Sequence, residues 1–106
     1  MPKFLVNVTY TAQGAAGLRK DGGSKRVRVA EKAIESVGGT LDTFFFSFGT
    51  QDAIVIADMP NAVAAAALSL AISSTGAVHV TTTQLLTPEE IDQACSKKTS
   101  YKAPGA

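Results

Sequence analysis

The amino-acid sequence predicts an α+β domain in which strands and two main helices follow one another as βαββαβ. Three observations predict it. Apolar runs of strand length occur four times along the chain. Two stretches with helical apolar spacing separate the first run from the second and the third from the fourth. Glycine, proline and asparagine fall between these segments, where turns and caps need them.

Lys3 to Tyr10 is the first strand. Phe4, Val6, Val8 and Tyr10 alternate with Lys3, Leu5, Asn7 and Thr9, so the two sets line opposite faces. Thr11 to Lys20 reads as a short helical or turn segment, broken at Asp21-Gly22-Gly23. Ser24 is the expected N-cap of a helix running to about Val37. Its Val27, Ala30, Ile34 and Val37 form one stripe, and Gly38-Gly39 ends it. Leu41 to Phe48 is the second strand, with the rings of Phe44, Phe45, Phe46 and Phe48 divided between both faces. Gly49-Thr50-Gln51-Asp52 connects it tightly to the third strand, Ala53 to Asp58, as a hairpin.

Asn61 is the expected N-cap of a second helix from about Ala62 to Ser73. Its small residues suit close approach to a sheet, and Gly76 stops it. Ala77 to Leu86 is the fourth strand, rich in β-branched residues. Thr87-Pro88-Glu89-Glu90 then combines an N-cap, a proline at the first helical position and a capping box. A short C-terminal helix follows to about Lys97. Residues 1–97 make one domain, and residues 98–106 form a flexible tail.

Right-handed crossovers over an antiparallel four-stranded sheet give a ferredoxin-like fold, with both main helices on one face. Strands two and three do not alternate, so their second face is also apolar. A bare apolar face of several hundred square ångströms is unusual on a monomer. Face-to-face pairing with a second sheet covers it and produces a dimeric α/β barrel. The C-terminal helix is a poorer cover, being short and polar. A homodimer or higher homo-oligomer is therefore expected.

Composition narrows the function classes. The chain has 106 residues, 45% hydrophobic and 18% charged, which fits one globular domain. A net charge of +1 gives no reason to expect nucleic acid or an anionic membrane as partner. Cys95 is the only cysteine, which excludes an internal disulfide and argues against a structural zinc site. It reads as a small apolar side chain on a helix. No segment has the pattern of a signal peptide or the length of a membrane span, so a cytoplasmic location is expected. No motif calls for a metal or a cofactor.

Several blocks resemble a known family. The opening MPKFLVNVTYTAQGAAGL, the Gly38-Gly39 before strand two, the turn FGTQDAIVIADMPN and the end TTTQLLTPEE are similar to GYD-domain proteins. These are small bacterial proteins named for a Gly-Tyr-Asp signature and related in fold to dimeric α/β-barrel proteins. The resemblance covers about Met1 to Glu90. It implies the fold and dimerisation, and it implies no reaction. Gly49 and Asp52 stand at the signature's Gly and Asp, while Gln51 holds the Tyr position.

The candidate site residues are few. Asp52 opens strand three after a turn, where a carboxylate can act as a general base or orient a ligand; the plainer account is a bond within its own turn. His79 is the only histidine, suited by its ordinary pKa to acid–base work. If strand four neighbours strand one, His79 and Thr81 share a face with Asn7 and Thr9. Asn7, Thr9, Thr81 and Gln51 are then candidate ligand-binding residues. Arg19, Lys20, Lys25, Arg26 and Arg28 form a basic cluster that reads as a solvated face. Pro2 would be N-terminal once Met1 is removed, as in tautomerases that use a proline amine as base, although the element order fits them poorly. Three functions follow. The first is an oligomeric domain binding a small organic ligand in or beside the sheet. The second is a cofactor-independent isomerase or oxygenase using Asp52 and His79, and the third a tautomerase using Pro2.

Overall fold

A computed structural model describes residues 1–106. The strands are β1 (Lys3–Tyr10), β2 (Thr40–Phe46), β3 (Ala53–Asp58) and β4 (Val78–Leu85). The helices are α1 (Ala12–Asp21), α2 (Gly23–Ser36), α3 (Ala62–Ser73) and α4 (Pro88–Ser96). The sheet is antiparallel, in the order β2-β3-β1-β4. That order is the ferredoxin-like one, with the first and third strands in the middle.

Alternation in β1 sets the layers. Phe4, Val6 and Val8 are buried against the helices together with Ala53, Val55 and Ala57 of β3 and Val80 of β4. Ile34 of α2 and Ala65 and Leu68 of α3 close the core from above, and Met59 is fully buried. The other sheet face carries no helix. Its middle rows run Thr83–Leu5–Ile56–Thr43 and Thr81–Asn7–Ile54–Phe45. It is therefore apolar along β3, polar along β4 and mixed along β1 and β2: Phe44 and Phe46 pair with the core-facing Val55 and Ala53, so Phe45 beside Thr43 is the one aromatic ring that strand two puts on its second face.

Caps and close contacts place each helix. The Thr11 side chain accepts from the Gly14 N–H at 3.3 Å, so the segment before the double glycine is a full helix. The Thr11 hydroxyl also lies within bonding reach of the Gly76 and Ala77 carbonyls, at 3.1 and 3.0 Å. Gly14 is buried there, and a Cβ on it would run into the Ala77 carbonyl oxygen. Helix α2 starts at Gly23 with Gly22 as its cap and no side-chain cap bond. Ser24 is thus inside the first turn rather than at the N-cap, because α1 continues to Asp21 and leaves a single residue between the helices. At the other end Gly38 takes φ 85°, and the Gly38 and Gly39 N–H groups return to the Glu35 and Ile34 carbonyls at 3.0 Å each. Asn61 caps α3 through the Ala64 N–H at 2.9 Å, and α3 spans the predicted residues. Ser69 of α3 shares a 2.6 Å hydrogen bond with Thr82 of β4.

Strand β2 is shorter than its sequence suggests. Phe48 lies beyond it with a left-handed backbone (φ 54°), and its ring stacks on Phe46 at 6.1 Å. A bulge falls between Leu41 and Thr43, where Asp42 has no partner on β3. Lys3 bonds Asp42 at 2.9 Å and Asp58 at 3.0 Å, spanning from β1 over β3 to β2. Those two bonds, Asp42 first, push the Lys3 ammonium above its ordinary value.

Helix α4 has the predicted capping box: Glu90 N–H donates to the Thr87 hydroxyl at 3.1 Å, and Thr87 N–H donates to Glu90 Oε1 at 2.8 Å. It has no extensive contact with another element, and every residue from Leu86 onward is exposed. Cys95 lies on this helix and is exposed. The radius of gyration, 16.9 Å, exceeds the roughly 13 Å of a compact chain this long. The projecting α4 and tail account for the excess.

Candidate functional site

Helices α2 and α3 lie side by side on the sheet without closing over it. Between them runs a half-open crevice of about 100 Å³, floored by Val6, Val8 and Val80 and walled by Val29, Leu68 and Ile72 among others. Of the thirteen residues lining it, twelve are hydrophobic, and the exception is Arg26. Small side chains explain the gap. Helix α2 presents Ala30 and Ala33 at its wall, and β3 contributes only Val55 to the floor.

Arg26 also borders a second crevice of about 210 Å³, whose polar lining includes Tyr10, Gln13 and Asp21. Tyr10 ends the buried face of β1 and packs against the core. Burial pushes its phenol above the ordinary value, opposed by the neighbouring Arg26 guanidinium and reinforced by the Asp52 charge. The phenol is therefore a neutral hydrogen-bond donor at physiological pH. Arg26 is 32% exposed, and its nearest carboxylate, Asp21, is 3.9 Å away. Asp21 also faces Lys25 at 3.6 Å.

The basic cluster thus divides. Arg19 and Lys20 lie in the last turn of α1, where cations suit the helix dipole. Lys25 and Arg26 lie in the first turn of α2, where they oppose it. Arg28 is exposed, but Arg26 turns into the fold. The signal for Arg26 was its spacing: positions 26, 30 and 33 fall on one helical face with the two small alanines.

The other candidates sit on the uncovered sheet face. Asn7 opposes Thr81, and Thr9 opposes His79. These four residues form the polar end of that face, and His79 and Thr81 are exposed. Asp52 flanks the same row on the β3 side. Its N–H donates to the Val8 carbonyl at 2.8 Å, and its carboxylate accepts from the Tyr10 N–H at 2.7 Å. Its partner is therefore the neighbouring strand, not its own turn. Two strand spacings, about 10 Å, separate the Asp52 and His79 backbones, and neither residue lines a main crevice of the molecule. Gln51 is half-buried in the turn, where its carbonyl accepts from the Gly49 N–H at 3.1 Å. Pro2 lies at the opposite end of the sheet, its carbonyl accepting from the Met59 N–H at 3.1 Å. No single site unites Pro2 with Asp52 or His79. No group of three His, Cys, Asp or Glu side chains could hold a metal ion, and no helix is long and apolar enough to cross a membrane.

Fold and crevice together define a small ferredoxin-like α+β domain with an uncovered sheet face and an apolar cleft beneath two helices. Residues 4–95 match the GYD domain, so the chain belongs to the GYD-domain family. The matched span includes α4 up to Cys95. No curated protein and no solved structure matches the chain.

Proposed function

We propose that this GYD domain is a homodimeric binding protein that holds a small, largely apolar organic molecule in the crevice between α2, α3 and the sheet. The crevice carries the reading: a concave, apolar, half-open space with one polar group at its edge is the usual form of a small-molecule site. Native mass spectrometry of freshly purified protein reads a co-purified ligand directly. Val29 is 42% exposed at the crevice wall, so Val29→Trp should obstruct the space without unfolding the chain. Retention of the same ligand by that variant would overturn the assignment.

The dimer rests on the uncovered face, where Phe45 is 68% exposed and Ile54 and Ile56 lie beside it. Four strands by about six residues make a face of roughly 19 by 20 Å, or about 400 Å² per copy. Two such faces total about 800 Å², below the roughly 1,200 Å² of stable interfaces and in the range of weak, transient ones, which sets the expectation of a reversible dimer. Sedimentation should show dimers at micromolar concentration and monomers for Phe45→Glu. A wild-type monomer at that concentration would refute the pairing.

A second reading, the cofactor-independent isomerase or oxygenase, is favoured by one observation: Asp52 and His79 flank Thr9 on the face that the partner would cover. Its weakness is the bond that ties Asp52 to the Tyr10 N–H. The tautomerase reading has only Pro2 itself in support.

A further inference from the structure

Taking the crevice as the ligand site, we infer that its ligand is an amphipathic acid: one aromatic ring or a short alkyl chain in the crevice, with an anionic head held by Arg26 and the Tyr10 hydroxyl. Three features carry this.

The first is position. Arg26 is the only polar residue at the apolar crevice and also borders the polar one. The polar head of a molecule seated on Val6, Val8 and Val80 has that guanidinium as its one polar side-chain partner in the lining.

The second is unmet bonding capacity. A guanidinium carries five N–H donors in a planar fork. Arg26 is two-thirds buried, yet apart from its contact with the Tyr10 phenol its one carboxylate neighbour stands at 3.9 Å, beyond hydrogen-bond range, and is shared with Lys25, so most of its donors are free. A carboxylate head would take two parallel N–H bonds in the geometry the fork prefers. Tyr10, a phenol that borders the same polar crevice, adds an O–H donor beside it. Asp21 opposes an incoming anion, and Lys25 offsets its charge. The first turn of α2 also contains no acidic residue and no side-chain cap, which favours negative charge nearby.

The third is size. An apolar cavity of ~150 Å³ accommodates benzene. The crevice, at about 100 Å³, is smaller than that, so it takes a ring only in part, and its half-open form leaves room for the rest of the ring and the head outside.

The test uses the full chain and three probes with the same ring: phenylacetate, 2-phenylethanol and phenethylamine. Binding is followed by calorimetry and by amide shifts around Val29, Ala33 and Leu68. Phenylacetate should bind roughly tenfold or more tighter than the alcohol, and the amine weakest, given the strength of charge-assisted bonds. Arg26→Gln should bring phenylacetate level with the alcohol, and Arg26→Lys should give an intermediate affinity, with the amide spectrum of each variant confirming the fold. If the alcohol or the amine binds the wild type as well as phenylacetate, or Arg26→Gln keeps the preference, the acid is the wrong class while the crevice reading stands. If none of the three moves those amides, the crevice reading itself falls.

Discussion

Replacing Asp52 by alanine removes a hydrogen bond that closes the sheet. The Tyr10 N–H faces β3 two residues past Val8, the last β1 residue paired with that strand, where no backbone carbonyl meets it. The Asp52 carboxylate accepts it at 2.7 Å. Alanine leaves that half-buried donor without its partner, at a cost of about 1.5–3 kcal/mol for a bond to a charged group. Asparagine keeps a neutral acceptor in place and should cost about half as much. In urea, with a slope near ~1.5 kcal/mol per molar, a loss of about 2 kcal/mol lowers the unfolding midpoint by ~1.3 M. Protein concentration must be fixed across the series, because a dimer's stability depends on it. Hydrogen exchange locates the effect: the Tyr10 amide should lose protection in Asp52→Ala and keep most of it in Asp52→Asn. An unchanged midpoint together with an unchanged Tyr10 exchange rate would refute the ladder-closing role and leave the carboxylate free for chemistry.

Other outcomes follow from the same contacts. Alanine normally stabilises a helix relative to glycine by ~1 kcal/mol, but Gly14→Ala should destabilise by about 1–3 kcal/mol and lower Tm by roughly 10 °C, because the new methyl meets the Ala77 carbonyl; calorimetry showing a rise in Tm would refute that close approach. The raised Tyr10 pKa makes the folded state hold its phenolic proton longer than the unfolded state. Its contribution to stability is therefore full below the unfolded value near 10 and is lost as pH rises through the folded value. Ultraviolet titration should show a late tyrosinate component that is absent from Tyr10→Phe; its persistence in that variant would assign the signal to Tyr101.

Local chemistry was legible in the sequence wherever a few neighbouring residues decide the outcome. Asn61 and Thr87 each cap the helix that follows them, and the β1 alternation sorts Phe4, Val6 and Val8 from Leu5 and Asn7. Ser24 misled because its neighbour Gly22 ends α1 and begins α2 at once, leaving no room for a side-chain cap. Phe48 misled because an aromatic run has no internal stop, and the chain leaves the sheet through a left-handed residue instead. The site was harder to read for a longer-range reason. Tyr10 and Arg26 meet only when α2 lies across the end of β1. Arg26 looked like one of five surface cations until the placement of α2 turned it inward.

Helix α4 has nine residues, all exposed, and no extensive tertiary contact. Isolated helices shorter than ~12–15 residues are marginal in water, even with a capping box that contributes ~1 kcal/mol. Its amides should therefore exchange almost freely while those of β1 wait for global unfolding. Proline and capping box fix where the helix begins, so the segment is prepared to coil yet lacks the contact that would hold it. Leu86 just before it and Ile91 within it are exposed apolar side chains, 59% and 45% accessible. Any surface that took them up would turn a flickering segment into an ordered one. The helicity of these roughly two and a half turns of sequence is thus a built-in gauge of whether the domain is alone.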